Sequence, residues 1–356
     1  MDTTDPQIFF DSDEVCNHCH QYDYFVERFN LDKPDLLARQ LQEQIEVVKK
    51  AGRSKKYDCV IGISGGADST YLACKVKELG LRPLAVHVDC GWNSDLAVRN
   101  IENTVKRLGF DLYTVVIDWS EMSDLQLAFF KSGVENCDIP TDHAIVSVLY
   151  QIAAENNLEY IISGSNFATE SILPVAWGHT NIDATYISYI QKVFGKKKLK
   201  KYPLMSIYKF FYYKVIRKIK IFKLLNYMRY DKKDAQTIIK EQLDWTDYGG
   251  KHHESVFTKF FQSYYLPTKF NYDKEIAHLS SLIVSGQITR LNALKRLKIV
   301  QSKEIDFTYE IGYVAKKIGI TPEELKDFTK TSDVGKMPTI YDSFLYKLYI
   351  KIRRQI

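Results

Sequence analysis

The feature that most limits how this chain can fold is a short apolar run at 57–63, rich in branched residues, that leads straight into Ser64-Gly65-Gly66-Ala67-Asp68-Ser69. Such a run reads as a strand buried on both faces, the habit of a parallel sheet. A glycine pair between a strand and a helix lets the backbone turn tightly. It also leaves the first N–H groups of the helix free to cradle an anion. The same rhythm continues downstream: a helix is expected over 69–79, closed by Gly80, a strand over 83–89, a helix over 95–108, closed by Gly109, and a strand over 112–117. Helical stretches at 122–132 and 143–156 then lead to a strand at 159–164. Strands alternating with helices at this spacing predict an α/β fold built on a doubly wound parallel sheet.

Around that core the pattern changes. Leu37, Leu41, Ile45 and Val48 recur at helical spacing and predict a helix over 35–50. Between 191 and 233 the chain is basic and aromatic, with Lys196-Lys197-Lys198 and Lys200-Lys201, and reads as a helical insertion. From 255 onward the pattern is mostly helical, and Thr321-Pro322-Glu323-Glu324 has proline where a helix tolerates it best. The expected organisation is an N-terminal Cys-x-x-Cys segment (1–34), a nucleotide-type domain (35–185), the basic insertion (186–240) and a helical C-terminal region on the substrate side (241–356).

A chain of 356 residues with 45% hydrophobic and 26% charged residues has ordinary globular composition, so disorder is not expected. No uncharged apolar run approaches the roughly 20 residues of a membrane span, and the first residues lack a basic stretch followed by an apolar one. The expectation is a cytoplasmic protein. Six scattered cysteines then read as core residues, metal ligands or nucleophiles rather than as disulfides. The net charge of +5 is too small to imply a nucleic-acid partner by itself.

In the glycine loop, Ser64 and Ser69 can donate to phosphate and Asp68 can hold Mg2+ or order the turn. The loop lacks the Gly-Lys-Ser/Thr ending of a Walker loop, which argues against simple γ-phosphate hydrolysis. It resembles the PP-loop of ATP pyrophosphatases, which implies ATP with Mg2+ and a nucleotide held by Ser64, Gly65, Gly66, Ala67, Asp68 and Ser69. Ligands of doubly wound sheets lie across the carboxyl ends of the strands. That places His87 and Asp89, then Gly164, Ser165 and Asn166, at the expected pocket. Lys251-His252-His253-Glu254 follows Gly249-Gly250, so Lys251 can stabilise developing charge and Glu254 can accept a proton from an incoming amine. A metal site or a capped helix start accounts for the same cluster. Cys16 and Cys19 have the spacing of half a zinc site, beside His18 and His20. Thr289 and Arg290 are candidates for substrate contact that surface packing explains as well.

Taken with Val88-Asp89-Cys90-Gly91-Trp92-Asn93, Gly164-Ser165-Asn166 and the tract from Gly249 to Arg290, the loop gives the chain its resemblance to the N-acetyl sugar amidotransferases. That family includes pseudaminic acid and lipopolysaccharide biosynthesis proteins, and the resemblance covers nearly the whole chain. It implies a PP-loop, HUP-like fold and conversion of a sugar acetamido group to an acetamidino group during surface glycan synthesis. ATP would activate the amide oxygen, ammonia would attack, and AMP and pyrophosphate would leave. The implied partners are an acetamido sugar, nucleotide-linked or a nonulosonic acid, and a separate glutaminase subunit. The residues agree on the last point: Asp2 stands where one glutaminase type has its cysteine, and no Gly-x-Cys-x-Gly elbow occurs. The family usually carries two Cys-x-x-Cys pairs near the N-terminus, whereas here Zn2+ would rest on Cys16 and Cys19 alone. Two other readings are a tRNA-modifying PP-loop ligase, whose thiolase form would need Cys137, and a non-catalytic subunit docked on an anionic membrane or an assembly partner through 186–233.

Overall fold

The computed structural model describes residues 1–178, 180–301, 306–330, 335 and 337–340, so residues 341–356 of the expected C-terminal region lie outside the described ones. Helices α1 (Asn17–Phe29) and α2 (Pro34–Gly52) precede an alternation of β1 (Cys59–Gly62), α3 (Ala67–Glu78), β2 (Pro83–Asp89), α4 (Asp95–Leu108) and β3 (Asp111–Val116). Then come α5 (Trp119–Ser132), α6 (Ile139–Glu155), β4 (Tyr160–Ser163), α7 (Phe167–Glu170), α8 (Ala184–Phe194), α9 (Ile207–Phe211), β5 (Lys220–Lys223) and α10 (Lys232–Leu243). The C-terminal part is helical: α11 (Val256–Phe260) and α12 (Leu266–Phe270), joined by the π-helical turn Phe261–Tyr265, then α13 (Lys274–Val284), α14 (Arg290–Gln301), α15 (Thr308–Ile318) and α16 (Pro322–Asp327).

All five strands are parallel, in the order β3-β2-β1-β4-β5. The chain winds outward from β1 to β3, returns to the middle and winds the other way, which is the doubly wound arrangement the alternation predicts. Its direction reverses between β1 and β4, where Val60 faces Ile161, and a crevice opens there beyond the strand ends. Successive side chains point to opposite faces. Val60, Leu84, Val86 and Ile161 pack with Leu125, Phe129 and Val148 of α5 and α6. Cys59, Ile61, Ala85 and Ile162 pack with Ile45, Leu72, Val76 and Ile239 of α2, α3 and α10. Coverage of both faces is why β1 has no polar alternation.

The C-terminal helices are continuous with the first of these layers through Phe257, Phe260 and Val314. Trp92 is the hinge pin, with ring centroids 5.0 Å from Trp119 and 5.0 Å from Phe257. A short seam fixes the join: Ser94 N–H donates to Glu254 O (2.8 Å), Val256 N–H donates to Trp92 O (2.9 Å), and Asn93 pairs with Ser255 as an isolated bridge.

The basic tract is helical at α8 and α9, but it also supplies β5, which the sequence reading missed. Lys220-Ile221-Phe222-Lys223 buries Phe222 alone among its four residues, since an edge strand leaves its other positions in water. The lysine run folds around acidic side chains of α5. Asp124 accepts N–H bonds from Lys196 and Lys197, and Glu121 accepts them from Lys200, Lys201 and Tyr202. Among the described residues no helix is long and apolar enough to cross a membrane.

Candidate active site

β1 delivers the glycine loop to the crevice. Gly65 has φ +77°, a left-handed conformation that glycine adopts without cost, and a Cβ there would lie 2.4 Å from the Ala97 carbonyl oxygen. Its own carbonyl accepts from Trp245 Nε1 (2.9 Å) and Asn100 Nδ2 (3.3 Å). The turn is therefore pinned from behind. In front, Ser64 Oγ accepts from Gly66 N (3.2 Å), and Ser69 Oγ accepts from Ser64 N (3.3 Å) while donating to Gly66 O (3.1 Å). Gly66 caps α3 with no side chain, and the Ala67 N–H is taken by Tyr248 Oη (3.2 Å). The amides of Asp68 and Ser69 make no hydrogen bond among the described residues. An anion placed there meets unpaired N–H groups and the positive end of a twelve-residue helix.

The cavity outside the strand ends has a volume of about 880 Å3 and is lined by Ser64, Gly66, Ala67, Asp68, Ser69, His87, Gly164, Ser165, Lys251 and Glu254, among others. Gly164 packs closely on α3, where a Cβ would stand 3.1 Å from Asp68 O. Gly65, Asp89 and Asn166 do not line the cavity. Asp89 Oδ1 instead accepts from Gly91 N and Asn93 Nδ2, which shapes the loop after β2. Asn166 caps α7 by accepting from Thr169 N (2.9 Å). His87 Nδ1 faces Ile63 O at 3.0 Å, and its Nε2 faces Asn93 Nδ2 at 3.1 Å. Its role is to tie the end of β2 to the start of the loop.

The seam at 254–256 hangs the strap 249–255 over α3. Lys251 has a side chain only 8% exposed, with Nζ 3.0 Å from Glu170 Oε1 and 3.9 Å from Asp68 Oδ2. Burial works to lower its pKa, but the charges of Glu170 and Asp68 outweigh it and raise the value, so the cation persists. Asp68 also accepts a hydrogen bond from Tyr230 Oη. Glu254 lies against the loop, within 2.9 Å of where a Gly66 Cβ would stand, and its Oε1 is 3.8 Å from His252 Nδ1. Burial raises the Glu254 pKa and His252 more than reverses it, so the carboxylate stays ionised and is a poorer proton acceptor than the sequence suggested.

Two expected groups are placed elsewhere. Cys16 and Cys19 lie with their sulfurs 3.5 Å apart, but His18 is held by Asp5 and His20 by Asp11, each at 2.7 Å. Among the described residues no third ligand joins the two thiols, and no group of three or more His, Cys, Asp or Glu side chains converges on a metal position. The pair does not fit a four-ligand zinc site. Thr289 and Arg290 are exposed and off the cavity, with Thr289 Oγ1 accepting from Asn292 N at the start of α14. Cys137 is fully buried, and burial pushes its thiol up to about 12, so it is no nucleophile.

The sequence reading missed Tyr230 and Tyr248, which reach the loop from 162 and 181 positions away along the chain, and Glu170, which meets Lys251. It also missed Asp138, Asp142, Lys274 and His278, which line the cavity. None belongs to a spacing that chemistry requires.

None of the curated proteins matches this chain. Among solved structures, a U34-tRNA thiolase from Methanococcus maripaludis is similar over 77% of this chain and 83% of its own, at 14% identity and a TM-score of 0.34. An NH3-dependent NAD synthetase from Campylobacter jejuni is similar over 75% and 98%, at 15% identity and a TM-score of 0.31. An NMN synthetase from Francisella tularensis is similar over 65% and 93%, at 17% identity and a TM-score of 0.29. Toward the C-terminus, residues 254–352 match the family described as LPS biosynthesis protein WbpG-like, C-terminal domain.

Proposed function

We propose that the protein is an ATP-dependent, AMP-forming amidotransferase that converts the acetamido group of a surface-glycan sugar to an acetamidino group. The observation that carries this reading is the meeting of Lys251 and Asp68 at the N-terminus of α3, inside a cavity that continues well past the phosphate-sized turn. The amides of Asp68 and Ser69 and the serine hydroxyls receive the phosphates, and Lys251 offsets charge as pyrophosphate departs. Asp68 is the side chain in place to hold Mg2+, which would neutralise phosphate charge. An amide oxygen is a poor leaving group until it becomes part of AMP. The chain's task is then to hold sugar and nitrogen nucleophile together away from water. The WbpG-like match over residues 254–352 supports a sugar of lipopolysaccharide type as substrate. Ammonia from a separate glutaminase subunit completes the reading, as the resemblance to the N-acetyl sugar amidotransferases implies.

The surface around α9 and β5 adds a membrane contact to this reading. Tyr208 (73% exposed), Val215 and Ile216 (69%) stand among Lys209, Lys218, Lys220 and Lys223, an apolar and cationic mixture that suits an anionic bilayer surface. The deciding experiment measures AMP and pyrophosphate from ATP with ammonium chloride and a panel of acetamido sugars, following product mass. Sugar-dependent AMP together with replacement of oxygen by NH supports the reading. AMP formation that depends on tRNA and on no sugar refutes it.

A further inference from the structure

Beyond the phosphate loop the cavity ends in charges that adenylylation does not require. Asp138 immediately precedes α6 and Asp142 lies in its first turn, one helical turn apart, where side chains share a face. Asp138 is 7% exposed, and its Oδ2 accepts from Thr258 Oγ1 of α11 at 2.8 Å. Its Oδ1 is buried with no donor in bonding geometry. Burial raises the Asp138 pKa, with the Thr258 and then the Thr141 hydroxyl working against it, and Thr141 Oγ1 has no partner in bonding geometry either. Asp142 lines the same cavity, and its carboxylate makes no hydrogen bond among the described residues. Lys274, at the start of α13, also lines it with Nζ 5.6 Å over the Trp177 ring, and forms no ion pair with either carboxylate within 4.0 Å among the described residues.

The remaining capacity of this pocket is acceptor capacity with negative charge. A sugar hydroxyl would fill one acceptor and leave two carboxylates close together in a desolvated place. A small cation with several N–H donors satisfies both the acceptors and the charge. We propose that Asp138 and Asp142 form the subsite that receives the nitrogen nucleophile as ammonium, and that Asp142 takes its proton.

This rests on the amidotransferase reading. In the step, one N–H bond of ammonium breaks, its electron pair stays on nitrogen and the proton goes to a carboxylate oxygen of Asp142. The ammonia lone pair then forms the new bond to the activated acetamido carbon, and the bond to oxygen breaks with its pair leaving on AMP. The amidine leaves as its cation, and the Asp142 proton returns to solvent through the cavity.

The electrostatics agree. Burial, and after it the charge of Asp138, push Asp142 up to about 7, near the pH at which a base is most useful. His252 and Lys274 pull the other way, as does the N-terminal dipole of α6. Burial lowers Lys274 to about 8 in spite of both carboxylates. The other titratable groups facing this space include Glu254 on the strap, Glu170 on α7, Cys90 after β2, Tyr202, Lys251, Lys232 and His278. Of the carboxylates, Glu254 and Glu170 are held below their ordinary range by His252 and Lys251, against the effect of burial.

The test compares wild type with Asp142→Asn, Asp138→Asn and Asp142→Glu in amidine formation from ammonium chloride and from hydroxylamine. Hydroxylamine is largely unprotonated at neutral pH and has no proton to lose before attack. Melting temperature and ATP binding establish that each variant is folded. Asp142→Asn should lose about 100-fold in ammonium-supported kcat/KM, much less with hydroxylamine, and should recover as pH rises and free ammonia accumulates. Asp138→Asn should raise the KM for ammonium, and Asp142→Glu should regain part of the lost rate. Equal loss with both nucleophiles, or a raised KM for the sugar with the ammonium KM unchanged, assigns the carboxylates to the sugar and overturns the proposal. Wild-type amidine formation that none of the variants alters overturns the subsite alone. Wild-type protein that makes no amidine from ammonium overturns the reaction it serves as well.

Discussion

Gly65 and Gly66 are neighbours with opposite duties, and a methyl group added to each should separate binding from folding. Gly66 has φ −72° and ψ 159°, which alanine adopts freely, so Gly66→Ala introduces no backbone strain. Its Cβ would stand 2.9 Å from Glu254 Oε1, 3.1 Å from Ser64 Oγ and 3.2 Å from Tyr248 Oη, all at side-chain ends that line the cavity. Each must give by a few tenths of an ångström, and the methyl occupies room that phosphate needs. Overpacking of this kind costs about 1–3 kcal/mol, which is roughly 5- to 150-fold in ATP affinity. Alanine for glycine at an N-cap adds a folding loss of about 1 kcal/mol or less, a shift of roughly 2 °C in a chain of this size. Gly65→Ala differs: it forces φ +77° on a residue with a Cβ and drives that atom to 2.4 Å from a backbone oxygen of α4. The loss there should exceed about 3 kcal/mol and appear as a fall in melting temperature of about 6 °C or more. Calorimetric titration with ATP and thermal melting read the two effects separately. A Gly66→Ala protein that binds ATP as wild type does would mean that no phosphate sits at this turn.

Three further predictions follow from buried charge and from the surface. Lys251→Met leaves Glu170 and Asp68 without their shared cation, so AMP formation should fall about 100-fold or more. Stability should fall by about 2 kcal/mol, less than for a fully buried pair because the Glu170 side chain is a third open; AMP formation within threefold of wild type would refute the role. His143 is locked neutral, with Nδ1–H donating to Asn181 O and Nε2 accepting from Met205 N, and burial lowers its pKa to about 4. Its folded pKa lies below the unfolded value of 6.5, so its contribution is present above pH 6.5 and is lost as pH falls toward 4, by roughly 3 kcal/mol at most. Urea melts at both pH values should show a smaller acid loss in His143→Gln, and an unchanged loss would refute this origin. Anionic vesicles should sediment with the protein at low salt and release it at high salt, and Tyr208→Ser with Ile216→Ser should weaken that binding. Equal retention on neutral vesicles would count against an electrostatic surface.

What could be read from the sequence was whatever local rules enforce. β1, the glycine loop and α3 form a contiguous unit whose periods change at a turn only glycine can make, and β2 and α4 repeat the pattern. β5 was invisible because an edge strand needs only one buried side chain, and the lysines around Phe222 look like a solvated tract. The loop's contacts were harder. Lys251 and Glu254 drew notice as a charged cluster after two glycines, but Tyr230 and Tyr248 are two tyrosines among 24 until the fold brings them to Asp68 and Ala67. Asp138 and Asp142 look like ordinary acidic residues at a helix start. Their meaning depends on Thr258 and Lys274, more than 100 positions later. Cys16 and Cys19 are the opposite case, since a spacing that suits a metal ligand pair suits one turn of helix equally well.

The seam at 254–256 couples two properties that look separate. The same few bonds that hang Lys251 and Glu254 over the glycine loop also fasten the C-terminal helices to the strand layer. Whatever fills the cavity and touches the strap therefore raises the free energy needed to peel those helices away. By mass action that increment grows as the logarithm of ligand concentration, to about 2.7 kcal/mol at a hundred times the dissociation constant. Occupancy and resistance to local unfolding become one thermodynamic quantity, so a ligand that touches the strap acts on the C-terminal helices packed against the sheet as a reversible clasp.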